Sequence, residues 1–73
     1  MLRILGKKII HFYNTTGSLD NVIEFLENIK KKITYLNLNV SVDGKNVKIS
    51  LFGSRDLQNL ATERIKELAS RYL

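Results

Sequence analysis

YLNLNVSVDGKNVKISLF, residues 35–52, decides the fold. Leu36, Leu38, Val40 and Val42 alternate with Tyr35, Asn37, Asn39 and Ser41. Beyond Asp43-Gly44, Val47, Ile49 and Leu51 alternate with Asn46, Lys48, Ser50 and Phe52. A period of two sends neighbouring side chains to opposite faces, so each run reads as a strand with one apolar face. Asp-Gly between such runs is a strong hairpin signal, through a type I′ turn that needs positive φ. With that two-residue loop, Val40 faces Val47, Leu38 faces Ile49 and Leu36 faces Leu51. A four-residue loop shifts the pairing by two and keeps the same faces.

Upstream of the hairpin, residues 19–33 carry Leu19, Val22, Ile23, Leu26, Ile29 and Ile33 at helical spacing, which predicts an amphipathic helix. Ser18 is its N-cap. Asp20, Glu24 and Glu27 come early and Lys30, Lys31 and Lys32 late, an order that complements the helix macrodipole at both ends. Before it, residues 7–14 (KKIIHFYN) are rich in β-branched and aromatic side chains and predict a first strand. Ile10 and Phe12 lie on one face; Ile9, His11 and Tyr13 lie on the other. Downstream, Gly53 breaks the strand and Ser54 or Asp56 caps a last helix over residues 57–72. Its predicted stripe is Leu57, Leu60, Ala61, Ile65, Leu68 and Tyr72.

The order β-α-β-β-α predicts one α+β domain over residues 1–73, a two-layer sandwich. Its three-stranded sheet has both helices on one face, a ferredoxin-like arrangement without the last strand. In that arrangement the first strand has an unpaired outer edge, which Lys7 and Lys8 protect only in part. The uncovered face displays Ile9, His11, Tyr13, Tyr35 and Phe52, with Tyr35 opposite Phe52, among amides, hydroxyls and Lys48. Aromatics in such company suit a protein interface or a base-stacking platform. On an ordinary wet face the same cross-strand pairs contribute a few tenths of a kcal/mol each.

The 73 residues contain no Cys, no Pro and one His. Neither a disulfide nor a thiolate metal site is available, and so small a core gains stability by association. Nucleophilic catalysis needs a hydroxyl or thiol beside an oriented base, and His11 is the only histidine. A lone strand histidine is far more often structural. No metal-ligand spacing and no Gly-rich phosphate loop occurs. The expectation is a chain without catalytic residues, cofactor or metal. No apolar run exceeds two residues, against the ~20 of a membrane span. Residues 1–5 are too short and interrupted for a signal peptide, which points to the cytoplasm.

Net charge is +5, an excess that attracts polyanions or simply keeps the protein in solution. Lys30, Lys31, Lys32, Lys45, Lys48 and Arg55 are the candidate phosphate contacts, although each is also an ordinary surface residue. Gly53-Ser54-Arg55-Asp56 lacks the second Gly of a KH-type loop, and no RNP1 pattern appears.

The turn Val42-Asp43-Gly44-Lys45, the strand Val47-Lys48-Ile49-Ser50-Leu51, and Asp56 with Leu60 four residues later form a further pattern. With the element order, it resembles the small dimerisation subunit family of the KEOPS complex, which makes threonylcarbamoyladenosine in transfer RNA. The likeness spans nearly the whole chain through short, mostly hydrophobic motifs. The family usually has Arg after that Leu, where Ala61 stands here, and Asn four residues further on, where Ile65 stands. The loop before the second strand is shorter and lacks the family's common proline. The resemblance implies a non-catalytic dimer that bridges catalytic subunits and helps hold transfer RNA. The absent Arg leaves the inherited contacts in question. The expected role is thus a dimerisation or scaffold subunit, a homodimer or a heterodimer with a related subunit, in a larger RNA-related complex. The alternative is a stand-alone basic nucleic-acid-binding domain, and a third reading is a small enzyme built on His11.

Overall fold

The computed structural model of the chain describes residues 6–73. Its elements run β1 (Gly6–Tyr13), α1 (Leu19–Lys32), β2 (Asn37–Asp43), β3 (Asn46–Gly53) and α2 (Arg55–Tyr72). Residues 1–5, read above for a leader, lie outside the described residues. The α+β order β-α-β-β-α is the one the hydrophobic pattern predicts. β3 is the central strand, antiparallel to β1 on one side and to β2 on the other, in the order β1-β3-β2. β1 and β2 therefore run the same way with β3 between them, and each presents an outer edge.

The hairpin register is the second of the two expected, shifted by two from the pairing that an Asp43-Gly44 loop gives. Val40 pairs with Ile49, Leu38 with Leu51 and Val42 with Val47, while Asp43 closes the ladder against Asn46. The loop is therefore Gly44-Lys45, not Asp43-Gly44. Only Gly44 has positive φ, +62°. That is the demand of a type II′ turn, with glycine first, and not of type I′, which needs positive φ at both positions. The register moves by two residues, so the apolar faces are unchanged. Val47, Ile49 and Leu51 are fully buried on one side, with Lys48 exposed on the other. At the far end of β3, Gly53 takes φ +149°, a conformation reserved for glycine, before Ser54 caps α2.

Both helices lie on the buried face. α2 packs on β1 and β3, and α1 packs beside α2. Each helix is rotated from its expected stripe. On α1 the buried residues are Val22, Phe25 and Ile29, followed by the capping residue Ile33. Phe25, outside the predicted stripe, meets Phe12 edge-on with ring centroids 5.9 Å apart. Leu19 and Ile23, inside that stripe, are 68% and 46% exposed. α1 carries apolar residues over a wider arc than one face, and packing selects the arc that seats the largest ring. Asn28, on the opposite side of α1 from Leu26, donates to the Tyr72 hydroxyl of α2 at 3.1 Å.

On α2 the buried face is Gln58, Ala61, Thr62, Ile65, Leu68 and Ala69, and Leu60 points outward. The polar members are satisfied. The Gln58 side-chain amide donates to the Gly6 and Leu51 carbonyls at 2.8 and 3.2 Å, and the Thr62 hydroxyl donates to the Gln58 carbonyl at 2.7 Å. Gln58 thus ties the end of β1 to β3. At the other end buried Asn14 closes the β1–α1 loop. Its backbone N–H donates to the Lys45 carbonyl at 2.7 Å, and its side-chain oxygen accepts from the Thr16 N–H and hydroxyl.

Candidate interaction surfaces

Two surfaces remain without a covering layer: the sheet face opposite the helices, and the flank where α1 overhangs β2. Strand pairing orders the first into rows across β1, β3 and β2. From one end of the sheet to the other they read Lys7–Phe52–Asn37, Ile9–Ser50–Asn39, His11–Lys48–Ser41 and Tyr13–Asn46–Asp43. Ile9 and Tyr13 are 43% and 55% exposed, His11 and Lys48 are exposed, and Phe52 is half-buried. The ammonium of Lys7 stands 6.0 Å from the centroid of the Phe52 ring, within cation–π range. Lys7, which the sequence reading used only as an edge residue, is therefore part of this face. The sole carboxylate in the rows is Asp43, at one corner.

Tyr35 is not on this face. It precedes β2, packs against the core cluster, and has its hydroxyl buried with no hydrogen-bond partner among the described residues. The residue opposite Phe52 is Asn37. Alternation held Tyr35 to the open side only while the chain was taken as extended, and β2 begins two residues later. The other four expected interface residues, Ile9, His11, Tyr13 and Phe52, do share the face.

The six cations are not gathered. Lys48 alone lies on the open face. Lys45 sits in the hairpin turn and Arg55 begins α2. Lys30, Lys31 and Lys32 form the last turn of α1. Lys32 lines a shallow hollow of about 50 Å³ between the helices with Arg64, Glu67 and Arg71.

The second surface escaped the sequence reading. Between α1 and the outer strand β2 runs an open groove of about 340 Å³, lined by Leu26, Ile29, Lys30, Leu38, Asn39, Val40 and Val42. Leu19 and Ile23 continue the Leu26 row along α1 at four- and three-residue spacing, and Val42 is 41% exposed. The strand beside the groove contains no Lys, Arg or Pro, and its ladder to β3 runs without a bulge. Apart from Asp43 at its end, such an edge has none of the usual devices against pairing. The signal lay in the excess apolar width of α1, with Phe25 added to the six predicted positions.

Among the described residues no three His, Cys, Asp or Glu side chains are grouped to hold a metal ion, and no helix is long and apolar enough to cross a membrane. In the comparisons with known proteins, no family model, curated protein or solved structure matches the chain.

Proposed function

We infer that the protein is a non-catalytic association module that pairs through the α1–β2 flank and serves a larger RNA-related assembly. The carrying observation is the apolar groove beside an unprotected strand edge. A second copy's β2 laid antiparallel along this edge gains main-chain hydrogen bonds and continues the sheet, the β-augmentation mode of recognition. The dyad that relates two antiparallel β2 strands also sets the two α1 helices antiparallel. α1 has Asp20, Glu24 and Glu27 in its first part and Lys30, Lys31 and Lys32 in its last turn. An antiparallel neighbour sets acid against lysine, whereas a parallel one sets like against like. Of these charges only Lys30 lines the groove, so the flank's self-complementarity, which an isologous contact requires, is mainly apolar.

The RNA-related part of the reading rests on the +5 charge and on the resemblance to the KEOPS small subunit family, which implies a dimer bridging catalytic subunits. Association is tested by sedimentation equilibrium over a range of concentrations at low and high salt. The expected result is a dimer that persists in salt, because apolar burial is not screened as surface charge is. Val42→Lys, an edge lysine of the kind that blocks strand pairing, is to give a monomer with an unchanged circular dichroism spectrum. A wild-type protein that stays monomeric throughout sinks the self-pairing. A heterodimer with a related chain through the same edge replaces it.

A further inference from the structure

We propose that the open sheet face is a binding platform for single-stranded RNA, with Phe52, His11 and Tyr13 as stacking rings and Lys7 and Lys48 as phosphate contacts. This rests on and deepens the RNA-related part of the reading above, and it is independent of pairing through β2. Three observations carry it. The first is charge. The rows hold two lysines and an exposed imidazole, with one carboxylate at the corner, so a second copy laid face to face brings like charges together. The occupant the face suits is anionic.

The second is the arrangement of rings. Same-face residues on a strand repeat at about 6.8 Å, and adjacent strands lie about 4.8 Å apart. His11 and Tyr13 are neighbours on β1, and Phe52 lies on the adjoining strand two rows from His11. That spacing is twice the ~3.4 Å rise of a stacked strand, so the rings receive bases of an opened single strand rather than bases held inside a duplex. Stacking on exposed aromatic side chains is tolerant of base identity.

The third is the chemistry between the rings. Ser50, Ser41, Asn39 and Asn46 alternate with them in the rows and offer donors and acceptors to base edges and to the ribose 2′-hydroxyl, the group that distinguishes RNA from DNA. The Lys7 ammonium caps the Phe52 ring at 6.0 Å, so a base that stacks on Phe52 displaces it, and its flexible stem leaves it free to meet a neighbouring phosphate.

The experiment is fluorescence anisotropy of a labelled oligouridine roughly a dozen residues long, within the span small single-strand binders cover. Between ~50 and ~200 mM salt the affinity is to fall about seven-fold, the slope for two phosphates neutralised on a single strand. Tyr13→Ala or His11→Ala is to weaken binding at least about five-fold each. Lys48→Ser is to weaken binding and flatten the salt slope, whereas Lys66→Ser on the helix side is to change affinity less than two-fold. An RNA duplex of equal length is to bind more weakly, and the DNA counterpart likewise. The proposal is overturned by absence of binding, by folded Tyr13→Ala and His11→Ala proteins that bind as wild type does, or by Lys66→Ser costing as much as Lys48→Ser. It is also overturned if the duplex binds as tightly as the single strand, or if oligothymidine matches oligouridine. Val42→Lys keeps the open face intact and is to retain oligouridine binding per chain, so failure of pairing and failure of the platform are read separately.

Discussion

The two flanks of the sandwich are built in opposite ways. Where α2 covers β1 and β3, the buried face holds Gln58, Ala61, Thr62, Ile65, Leu68 and Ala69, and it is closed. Where α1 overhangs β2, the residues are Leu19, Ile23, Leu26, Val40 and Val42, and it is open. Polar and small side chains thus sit beside Ile65 and Leu68 inside one flank, whereas large apolar ones stand in the open mouth of the other. Small residues let α2 approach the sheet, and the Gln58 amide satisfies two carbonyls that closure removes from water. α1 has no such clamp to β2. A flank sealed by hydrogen bonds is finished within the chain, whereas one lined by spare apolar surface is finished by something else.

The sharpest way to break this contrast is to exchange residues along α1. Phe25→Ala is to cost about 3–5 kcal/mol in urea unfolding, because it empties the centre of the core. Ile23→Ser, measured at concentrations where the chain is monomeric, is to stay within about 0.5 kcal/mol of wild type. Equal costs disprove the rotation of α1. On the closed flank, Gln58→Leu strips the Gly6 and Leu51 carbonyls of a donor and is to cost about 1–3 kcal/mol. A neutral result there means that the flank is held by packing alone. At the sheet end between the flanks, Gly53→Ala forces a side chain into φ +149° with its Cβ 3.4 Å from the Leu36 Cβ. A loss of about 1–3 kcal/mol in the same assay is expected. The smallest effect has the opposite sign. Tyr35→Phe removes a buried hydroxyl without a partner among the described residues and is to leave stability unchanged or raise it by up to about 1 kcal/mol. A marked loss shows that the hydroxyl is bonded after all.

Much of this was legible in the residues. The alternation around Asp43-Gly44 placed the hairpin and its buried side, and the two registers it allowed share that side because strand side chains repeat every second residue. Ser18 announced the first helix start and Ser54 or Asp56 the second; Ser18 and Ser54 each accept a backbone N–H at 3.4 Å, from Asn21 and Leu57, so α2 begins at Arg55 and not at Leu57. Ile9, His11, Tyr13 and Phe52 were correctly grouped on one face by strand parity. Helix rotation was not legible. Leu19 and Ile23 scan as core by spacing, and Gln58 scans as surface by type, yet their positions are reversed. Tyr35 was misplaced for a related reason: parity holds only inside a strand, and β2 begins at Asn37.

The order of elements, the apolar side of each strand and the sign of the net charge belong to the sequence by itself, because each follows from local periodicity or from counting. Which arc of each helix is buried, which edge is left bare, and which cations share a face were decided only in the tertiary structure. Those outcomes depend on how one element fits another, on a phenyl ring finding Phe12 or an amide finding two carbonyls, and no single segment carries that information.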